Sequence, residues 1–352
     1  MRILITGICG FAGSTLARGL LERIEGLSLC GIDNLMRLES KTNRAVLKQL
    51  GVAIFYGDIR NASDFEQAPN VDWVIDAAAN PSVLAGVNGS ATSRQLFEHN
   101  LASTVNVLEY CKTHRAGFVL LSTSQVYSIT ALAGLPLKTE DGVFRLDSSN
   151  ELPRGVSARG IDSDFSTEVP ISLYGSTKLS SEKVALEYGF AFGFPVWINR
   201  CGVLVRAGQY GTPDQGIFSY WINPHLRRRP MRYNGFGGTG YQVRDAFHPR
   251  DLAGLLDAQI HNSRQVGTRV YAVGGGAANA TSLSQLTAWC DSMFGKHEPQ
   301  ADDRPRKYDV PWMVIDSTSA CGDFGGTAPR LCPKWSTKLP ARRHRVESVE
   351  VC

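Results

Sequence analysis

Short apolar runs alternate with longer amphipathic stretches along the first 200 residues of the chain. Most of the apolar runs are continuous rather than alternating in polarity, which is typical of parallel strands buried on both faces. They predict strands at Arg2–Thr6, Leu27–Asp33, Val52–Tyr56, Val71–Ala77, Phe118–Ser122 and Val196–Arg200. The stretches between them predict helices at Ala12–Ile24, Glu39–Leu50, Ser90–Thr113 and Leu173–Phe192. This alternation predicts an α/β fold with a doubly wound parallel sheet and right-handed crossovers.

The alternation breaks at two places. Residues 128–172 form a long polar stretch with prolines, glycines and acidic residues, so we predict an inserted loop there, such as a lid or a binding loop. After residue 200 the pattern becomes mixed, and it is lost toward the C-terminus. We therefore expect a first domain over residues 1–200 and a smaller second domain over residues 201–352, with some segments of the second returning to the first.

The composition and net charge of the 352-residue chain limit the classes of partner that it can be expected to bind. A hydrophobic fraction of 43% describes an ordinary globular protein, and a net charge of +4 is too mild for a nucleic-acid partner. No apolar stretch approaches the ~18–20 residues of a membrane span. The cysteines form no C-x-x-C pair and the histidines lack metal-ligand spacing, so we expect no metal site. We predict a cytoplasmic protein with reduced thiols and no nucleic-acid or membrane partner.

A glycine-rich turn follows the first predicted strand and precedes the first predicted helix. Glycines in such a turn let the backbone approach a pyrophosphate closely, and the helix N-terminus offers N–H donors to the phosphates. The strand–turn–helix context makes this signal more specific than the glycine spacing alone. We predict a dinucleotide-binding turn made of Gly7, Gly10, Phe11, Ala12 and Gly13.

A carboxylate at the end of the second predicted strand favours NAD over NADP. Asp33 can accept hydrogen bonds from the adenosine ribose hydroxyls, and it would repel a 2′-phosphate. Asp58, after the third strand, could meet the adenine edge, and small residues after the fourth strand let the chain pass close to the cofactor. The further predicted cofactor contacts are Asn34, Asp58, Ile59, Ala77, Ala78, Ala79 and Asn100.

A Tyr-x-x-x-Lys motif opens the fourth predicted helix, with Tyr174 and Lys178 on one helix face. The lysine ammonium would lower the pKa of the phenol from about 10 toward neutral pH. A tyrosinate can then take a proton from a substrate hydroxyl while hydride leaves for a nicotinamide. A hydroxyl side chain at the end of the fifth strand can bond the same substrate oxygen. We predict Thr123, Ser124, Tyr174 and Lys178 as catalytic residues, and the last two also as cofactor contacts.

These motifs, in this order, resemble those of the extended short-chain dehydrogenases/reductases, and among them the NAD-dependent epimerase/dehydratase family. The resemblance covers about residues 1–316. The family's Thr-Gly-x-x-Gly-x-x-Gly motif matches residues 6–13, and its catalytic Ser/Thr falls on Thr123, with Ser124 as the other choice. Where the family has a histidine before its Ala-Ala pair, this chain has Asp76.

The resemblance also implies an architecture and an assembly. It implies an NAD-binding Rossmann domain over residues 1–200 and a mainly substrate-binding domain over residues 201–352. It further implies a homodimer, in which the apolar faces of residues 101–110 and of the Tyr174 helix pair across a two-fold axis. Burial of those faces within one subunit is the alternative.

Two stretches of the second half, residues 208–218 and 235–248, resemble the CDP-paratose 2-epimerases of this family. The resemblance implies a nucleotide-diphosphate sugar as substrate, with a CDP-sugar favoured, and it places Arg244 at the diphosphate. An arginine fork suits that role, although a structural ion pair between Arg244 and Asp245 is the alternative. The predicted substrate contacts are Gln209, Gln215, Gly216, Arg244 and Arg304.

The residues after Thr123 bear on the reaction. The family's 4,6-dehydratases carry Asp-Glu there, whereas this chain has Ser124-Gln125, which cannot act as the acid/base pair of water elimination. We therefore predict an epimerase that oxidises a sugar hydroxyl with tightly bound NAD and then returns the hydride. An NAD(P)-dependent nucleotide-sugar reductase or dehydrogenase is the alternative, and a 4,6-dehydratase a weaker one. A non-enzymatic NAD-binding sensor or scaffold is opposed by the intact Thr123, Tyr174 and Lys178.

Overall fold

A parallel central sheet and several smaller sheets organise the protein. The structure, a computed structural model, describes residues 1–89, 91–206, 209, 216–262 and 269–324. The strands are β1 (Arg2–Thr6), β2 (Ser28–Asp33), β3 (Ala53–Tyr56), β4 (Trp73–Asp76), β5 (Gly117–Thr123), β6 (Leu137–Glu140), β7 (Val143–Leu146), β8 (Val156–Ser157), β9 (Gly160–Ile161), β10 (Val196–Cys201), β11 (Val203–Leu204), β12 (Arg232–Asn234), β13 (Val243–Phe247), β14 (Val270–Val273), β15 (Ala280–Ser282), β16 (Gln300–Asp302) and β17 (Trp312–Met313). The α-helices are α1 (Phe11–Leu21), α2 (Ser40–Gln49), α3 (Ser93–Phe97), α4 (Ser103–His114), α5 (Ile129–Ala133), α6 (Leu173–Phe192), α7 (Ile217–Leu226), α8 (Pro249–His261), α9 (Leu283–Phe294) and α10 (Thr318–Phe324).

The central sheet contains seven parallel strands in the order β14-β10-β5-β4-β1-β2-β3. The strand order reverses between β1 and β4, and ligands of open α/β sheets bind at the carboxyl side of such a switch point. The prediction of a doubly wound parallel sheet is confirmed. The six strands predicted from apolar runs agree with β1 to β5 and β10 within two residues at either end. The seventh strand, β14, comes from the second half of the chain.

Helices cover both faces of this sheet. On one face, α1 and α8 contribute buried side chains such as Leu16 and Leu252. On the other face, α4 contributes Leu108. Neighbouring residues of β1 enter opposite clusters, since Ile3 belongs to the first and Leu4 to the second. Burial on both faces explains why the apolar runs of the sequence are continuous.

The inserted segment, residues 128–172, differs from the irregular loop that we predicted. It contains α5 and two antiparallel hairpins, β6–β7 and β8–β9. Val143 and Ile161 are buried in a cluster shared with β13 and β17. Ile161 accepts a backbone hydrogen bond from Asp316 and donates one to Val314, both at 2.8 Å. These strands escaped prediction because two to four residues are too few for a periodic pattern, and distant partners hold them.

A smaller lobe follows β10. Its strand β13 pairs with β11, β15 and β17, and helices α7 and α9 pack on it through Phe218, Trp221 and Leu286. Within the described residues, no helix is long and apolar enough to cross a membrane. The same residues contain no group of His, Cys, Asp and Glu side chains that could hold a metal ion.

Candidate active site

The predicted cofactor turn lies at the carboxyl ends of β1 and β4. Gly7 adopts a φ of +60°, and a Cβ atom on it would lie 2.9 Å from the Cα atom of Ala78. A Cβ atom on Gly13 would lie 2.4 Å from the carbonyl oxygen of Gly7. Only glycine fits these two positions, because the turn, the helix and β4 approach one another too closely for a side chain.

The N-terminus of α1 is open to an anionic group. Its N-cap residue, Gly10, has no side chain, and no side chain caps the first turn. The backbone N–H groups around Phe11 and Ala12 therefore have no intrahelical acceptor. A helix end of this kind, next to a crowded glycine turn, fits a pyrophosphate.

Asp33 faces the glycine turn from the end of β2. Its carboxylate accepts hydrogen bonds from the backbone N–H groups of Cys9 and Leu35, each at 2.8 Å. Burial raises the pKa of Asp33, while these backbone hydrogen bonds oppose the rise. The carboxylate thus lies where the ribose hydroxyls of a dinucleotide would reach it. The turn, the open helix end and this carboxylate together fit NAD.

Asp58 follows β3 and accepts hydrogen bonds from two neighbouring side chains. Arg60 donates to its carboxylate from Nε at 2.9 Å and from Nη2 at 2.7 Å, and Asn34 Nδ2 donates to it at 3.0 Å. The Arg60 guanidinium holds the pKa of Asp58 well below its usual range. The structure thus brings Asn34 and Asp58 together, whereas Ile59 is buried in the core. Their contacts with an adenine stay a prediction.

The small residues after β4 pass beside the glycine turn. The Thr6 hydroxyl accepts hydrogen bonds from the N–H groups of Ala77 at 3.2 Å and Ala78 at 3.1 Å, and it donates one to Asp76 at 2.6 Å. Ala77, Ala78 and Ala79 are half-buried at this edge of the sheet. The chain therefore runs close to the predicted cofactor position, as small side chains permit.

Asn100 lies in a π-helical turn, Glu98–Ala102, between α3 and α4. Its side chain accepts a hydrogen bond from the Asn80 N–H at 2.8 Å and donates to the Thr177 hydroxyl at 3.1 Å. Its carbonyl oxygen accepts a hydrogen bond from the Ser181 hydroxyl at 3.1 Å. Asn100 thus joins the loop after β4 to helix α6, and π-turns frequently occur at functional sites.

Close packing sets the position of α6. Ser172 caps this helix by accepting a hydrogen bond from the Gly175 N–H at 2.9 Å. A Cβ atom on Gly175 would lie 2.2 Å from the carbonyl oxygen of Gln125, which follows β5. The glycine inside the Tyr-x-x-x-Lys motif therefore lets Tyr174 come next to Thr123.

Burial dominates the electrostatics of Tyr174. The phenol packs against Leu96 and is 7% exposed. Burial raises the pKa of Tyr174 to about 12, and a hydrogen bond with Thr123 opposes the rise. We predicted a pKa lowered by Lys178, and the structure differs because desolvation of the phenolate outweighs other interactions. Of the two predicted hydroxyl residues, Thr123 meets the phenol, while Ser124 is buried in the following turn.

Lys178 lies one turn further along α6 and is 2% exposed. Burial lowers the pKa of Lys178, while the carboxylates of Asp76 and Glu182 raise it. Tyr174 and Lys178 are thus both buried on α6, and Thr123 ends the central strand β5. The catalytic roles of these residues stay predictions.

Sequence reasoning missed a buried ion pair behind this site. Arg200 of β10 donates to Glu182 of α6 from Nη2 at 2.8 Å and from Nε at 3.1 Å. Glu182 also accepts a hydrogen bond from the Ser122 hydroxyl of β5. The pair ties the catalytic helix to two central strands. The sequence did contain a signal for this pair, namely an arginine at the end of an apolar strand. Charged residues are rarely buried unless they are paired.

Arg244 is paired with a residue that the sequence did not indicate. Its Nη2 donates to Asp309 at 2.6 Å, and its Nη1 donates to the carbonyl oxygen of Val243 at 2.7 Å. The neighbouring Asp245 instead accepts a hydrogen bond from the Gly276 N–H at 3.0 Å. The alternative of a pair between Arg244 and Asp245 is wrong, because adjacent strand residues point to opposite faces.

The other predicted substrate residues are dispersed. Gln209 Nε2 donates to the carbonyl oxygen of Leu204 at 3.2 Å, and Gly216 is the N-cap of α7. Arg304 is exposed and its guanidinium pairs with Asp302. Gln215 lies outside the described residues. Substrate contacts at these positions stay predictions.

The parallel sheet, the glycine turn at its switch point and the buried Tyr/Lys helix define an enzyme of the short-chain dehydrogenase/reductase superfamily. More narrowly, the chain belongs to the NAD dependent epimerase/dehydratase family, whose sequence profile matches residues 3–274. The match spans the cofactor turn, the Tyr/Lys motif and Arg244. The family resemblance predicted from the motifs is confirmed.

Individual relatives have low sequence identity to the chain, but the similarity covers most of its length. The chain is 28% identical to CDP-paratose 2-epimerase of Salmonella typhi over 299 residues, which is 81% of this chain and 82% of that protein. It resembles the Thermus thermophilus UDP-glucose 4-epimerase complex with NAD, with a TM-score of 0.68, 22% identity and 94% of each chain covered. It also resembles UDP-glucuronic acid 4-epimerase from Bacillus cereus in complex with UDP-glucuronic acid and NAD, with a TM-score of 0.69, 22% identity and coverage of 93% and 94%. These structures confirm the fold.

Proposed function

We propose that the protein is a nucleotide-sugar epimerase that binds NAD tightly and inverts one carbon of its substrate by transient oxidation. The observation that carries this proposal is the burial of Tyr174 and Lys178 on α6, at the point where Gly175 packs against the backbone carbonyl oxygen of Gln125, directly after β5. Lys178 lies one turn further along the same helix, and the glycine turn follows β1, which lies two strands away from β5 in the central sheet. A sugar hydroxyl held there would contact the phenol and face the cofactor position.

The residues that would hold NAD are those of the glycine turn, with Asp33 at the adenosine ribose and the α1 N-terminus at the pyrophosphate. When bound, NAD would supply a reversible hydride acceptor and a positively charged nicotinamide ring. The carboxylate of Asp33 disfavours a 2′-phosphate, so NAD is the expected form rather than NADP.

Tyr174 has two tasks in an epimerase. It takes the proton of the sugar hydroxyl when the carbinol is oxidised, and it gives a proton back to the ketone oxygen when the other face is reduced. With its pKa raised to about 12 by burial, the phenol is protonated at neutral pH in the structure described. The protein alone thus holds the acid form, and a nearby positive charge would favour the base form.

The reaction class follows from what is present beside Tyr174. Ser124 is buried, the side chain of Gln125 offers only an amide, and the backbone carbonyl oxygen of Gln125 packs against Gly175. Neither residue supplies the acid/base pair that elimination of water requires. Epimerisation needs only the proton exchange at Tyr174, so we favour it over 4,6-dehydration and over net reduction.

The substrate we propose is a CDP-sugar. Support comes from the similarity to CDP-paratose 2-epimerase of Salmonella typhi along 81% of this chain. The Arg244 guanidinium keeps donors beyond its bonds to Asp309 and Val243, and a guanidinium fork suits a diphosphate. UDP-sugars are the competing class, because the Bacillus cereus protein binds UDP-glucuronic acid.

We also propose a cytoplasmic homodimer. Its support is a set of exposed aromatic side chains on helices α3 and α6, namely Phe97, Phe190 and Phe192, which are 38%, 86% and 47% exposed. Contiguous apolar patches are often covered by a partner, whereas single exposed apolar side chains are normal. Light scattering of the purified protein should give twice the mass of one chain, and a monomer would contradict the dimer.

The experiment that tests the function is incubation of the purified protein with CDP-, UDP- and GDP-sugars, followed by NMR. Inversion at one carbon without added cofactor supports the epimerase. Stoichiometric consumption of NADH would instead identify a reductase, and loss of water a dehydratase. No change with any sugar, in protein that binds NAD, would contradict the proposal.

The matching variant is Tyr174→Phe, which removes only the phenol oxygen. We expect it to keep NAD binding and to lose at least about 100-fold in kcat, the lower range of general acid–base contributions. Tyr188→Phe is the control, because the Tyr188 hydroxyl lies on the same helix and donates to the exposed Glu109 at 2.7 Å. Equal activity of the two variants would contradict the role of Tyr174.

A further inference from the structure

An arginine of the smaller lobe contacts the helix that follows the glycine turn. Arg206 comes two residues after β11, and the preceding residue, Val205, donates its N–H to the carbonyl oxygen of Phe247 on β13 at 2.9 Å. The Arg206 Nη1 donates to the Thr15 hydroxyl of α1 at 2.9 Å, across 191 positions of sequence. This side chain therefore joins the smaller lobe directly to the helix whose N-terminus is open to an anionic group.

Two contacts hold the Arg206 guanidinium close to that helix end. Its Cζ atom lies 5.8 Å from the centre of the Phe11 ring, within the range of a cation–π contact. The Thr15 hydroxyl, which accepts from Arg206, itself donates to the carbonyl oxygen of Phe11 at 2.9 Å. Phe11 is the first residue of α1, and its backbone N–H belongs to the open end of the helix. The guanidinium is thus held about one helical turn from that end.

The surroundings of Arg206 carry positive charge. Burial lowers the pKa of Arg206, and the charge of Arg18 on the same helix lowers it as well. Burial also lowers the pKa of the nearby His248, and so do the charges of Arg206, Arg250 and Arg18. A bound anion would relieve the repulsion between these cations.

We propose that Arg206 is a cofactor-binding residue that supplies positive charge to the pyrophosphate of NAD. The proposal rests on the proposed function, which expects the pyrophosphate at the N-terminus of α1. The N–H groups of a helix end provide only partial charges, whereas a pyrophosphate carries full negative charges. A guanidinium pairs well with phosphate oxygens. The cofactor would therefore be bound by residues of both lobes.

The test compares ligands with and without phosphates. The probes are ADP and adenosine, which share the ribose that Asp33 would bind. They are titrated by calorimetry into the full chain after charcoal treatment has removed bound NAD. In Arg206→Met, the affinity for ADP should fall at least about tenfold, as expected for loss of one charge-assisted hydrogen bond, and adenosine affinity should stay unchanged. Arg206→Lys keeps the charge, so it should retain more affinity for ADP than Arg206→Met.

Salt dependence and matched variants separate charge from structure. The ADP affinity of the unmodified protein should fall with ionic strength more steeply than that of Arg206→Met, because salt screens the interaction between charges. Arg250→Met is the control, since Arg250 pairs with Glu22 of α1 in an exposed salt bridge, with side chains 61% and 53% exposed. Its ADP affinity should stay within about twofold of the unmodified protein. Thr15→Val removes a hydrogen bond but keeps the guanidinium, so it should lose less ADP affinity than Arg206→Met.

Two results would overturn the inference. One is an unchanged ADP affinity in folded Arg206→Met protein. The other is an equal loss of ADP and adenosine affinity, because a contact that only holds α1 in place would affect both ligands. These titrations need no sugar. Unmodified protein that binds ADP but inverts no sugar would contradict the proposed function alone, so the two failures are distinguishable.

Discussion

Replacing Arg200 by methionine should destabilise the protein strongly, because it leaves the Glu182 carboxylate buried without a counter-charge. Arg200 and Glu182 are 5% and 1% exposed. The guanidinium donates to Glu182 at 2.8 Å and 3.1 Å and also donates from Nη1 to the carbonyl oxygen of Ser163 at 3.0 Å. Methionine retains much of the aliphatic stem, so the change removes mainly charge and hydrogen bonds.

The magnitude follows from the burial of the pair. Removing one member of a buried ion pair costs about 3–5 kcal/mol, because the remaining ion is desolvated without compensation. The Arg200→Met variant should therefore lose about 3–5 kcal/mol of unfolding free energy. The double variant Glu182→Leu/Arg200→Met leaves no unpaired charge, so it should recover at least half of that loss.

Urea unfolding followed by tryptophan fluorescence measures these differences. Arg154→Met is the matched control, because Arg154 forms an exposed salt bridge with Asp164 at 2.9 Å, with side chains 83% and 60% exposed. Exposed pairs contribute about 0–1 kcal/mol, so this control should change little. A loss below about 1 kcal/mol in Arg200→Met, or a double variant no more stable than the single one, would refute the reasoning.

Thr123→Val should raise the Tyr174 pKa further, because the hydrogen bond from Thr123 opposes the rise caused by burial. The acidic limb of the kcat profile, which needs the phenolate, should then move to higher pH; an unmoved limb would argue against this contact. Gly13→Ala should weaken NAD binding at least about tenfold, because its Cβ would lie 2.4 Å from the Gly7 carbonyl oxygen. Fluorescence titration with NAD measures this, and Gly26→Ala, with no atom within 4 Å but a φ of +68°, controls for backbone strain alone.

The parallel strands could be predicted from the sequence because each strand is buried on both faces. Ile3 and Leu4 belong to opposite core clusters, so the middle of β1 has to be apolar on both faces. The glycine turn and the Tyr/Lys motif could also be predicted, because the residues of each lie only a few positions apart in the sequence. Gly7 needs its positive φ, and Tyr174 and Lys178 share one helix face whatever surrounds them.

The structure of the inserted segment, residues 128–172, and the partner of Arg244 could not be predicted from the sequence. The short strands around Ile161 are held by backbone hydrogen bonds to residues more than 150 positions away, and Asp309 lies 65 positions beyond Arg244. Contacts of this separation leave no periodic pattern in the local sequence, so only the folded chain reveals them.

The sequence by itself determined the parallel sheet and the place of the glycine turn, and it named Thr123, Tyr174 and Lys178 as candidate catalytic residues. Tertiary structure decided their electrostatics. Burial raises the pKa of Tyr174 to about 12, although the motif alone predicts the opposite direction. Burial also lowers the pKa of Lys178 on α6, while the carboxylates of Asp76 and Glu182 raise it. Motifs specify which groups are available, but desolvation and neighbouring charges depend on segments that meet only when the chain folds.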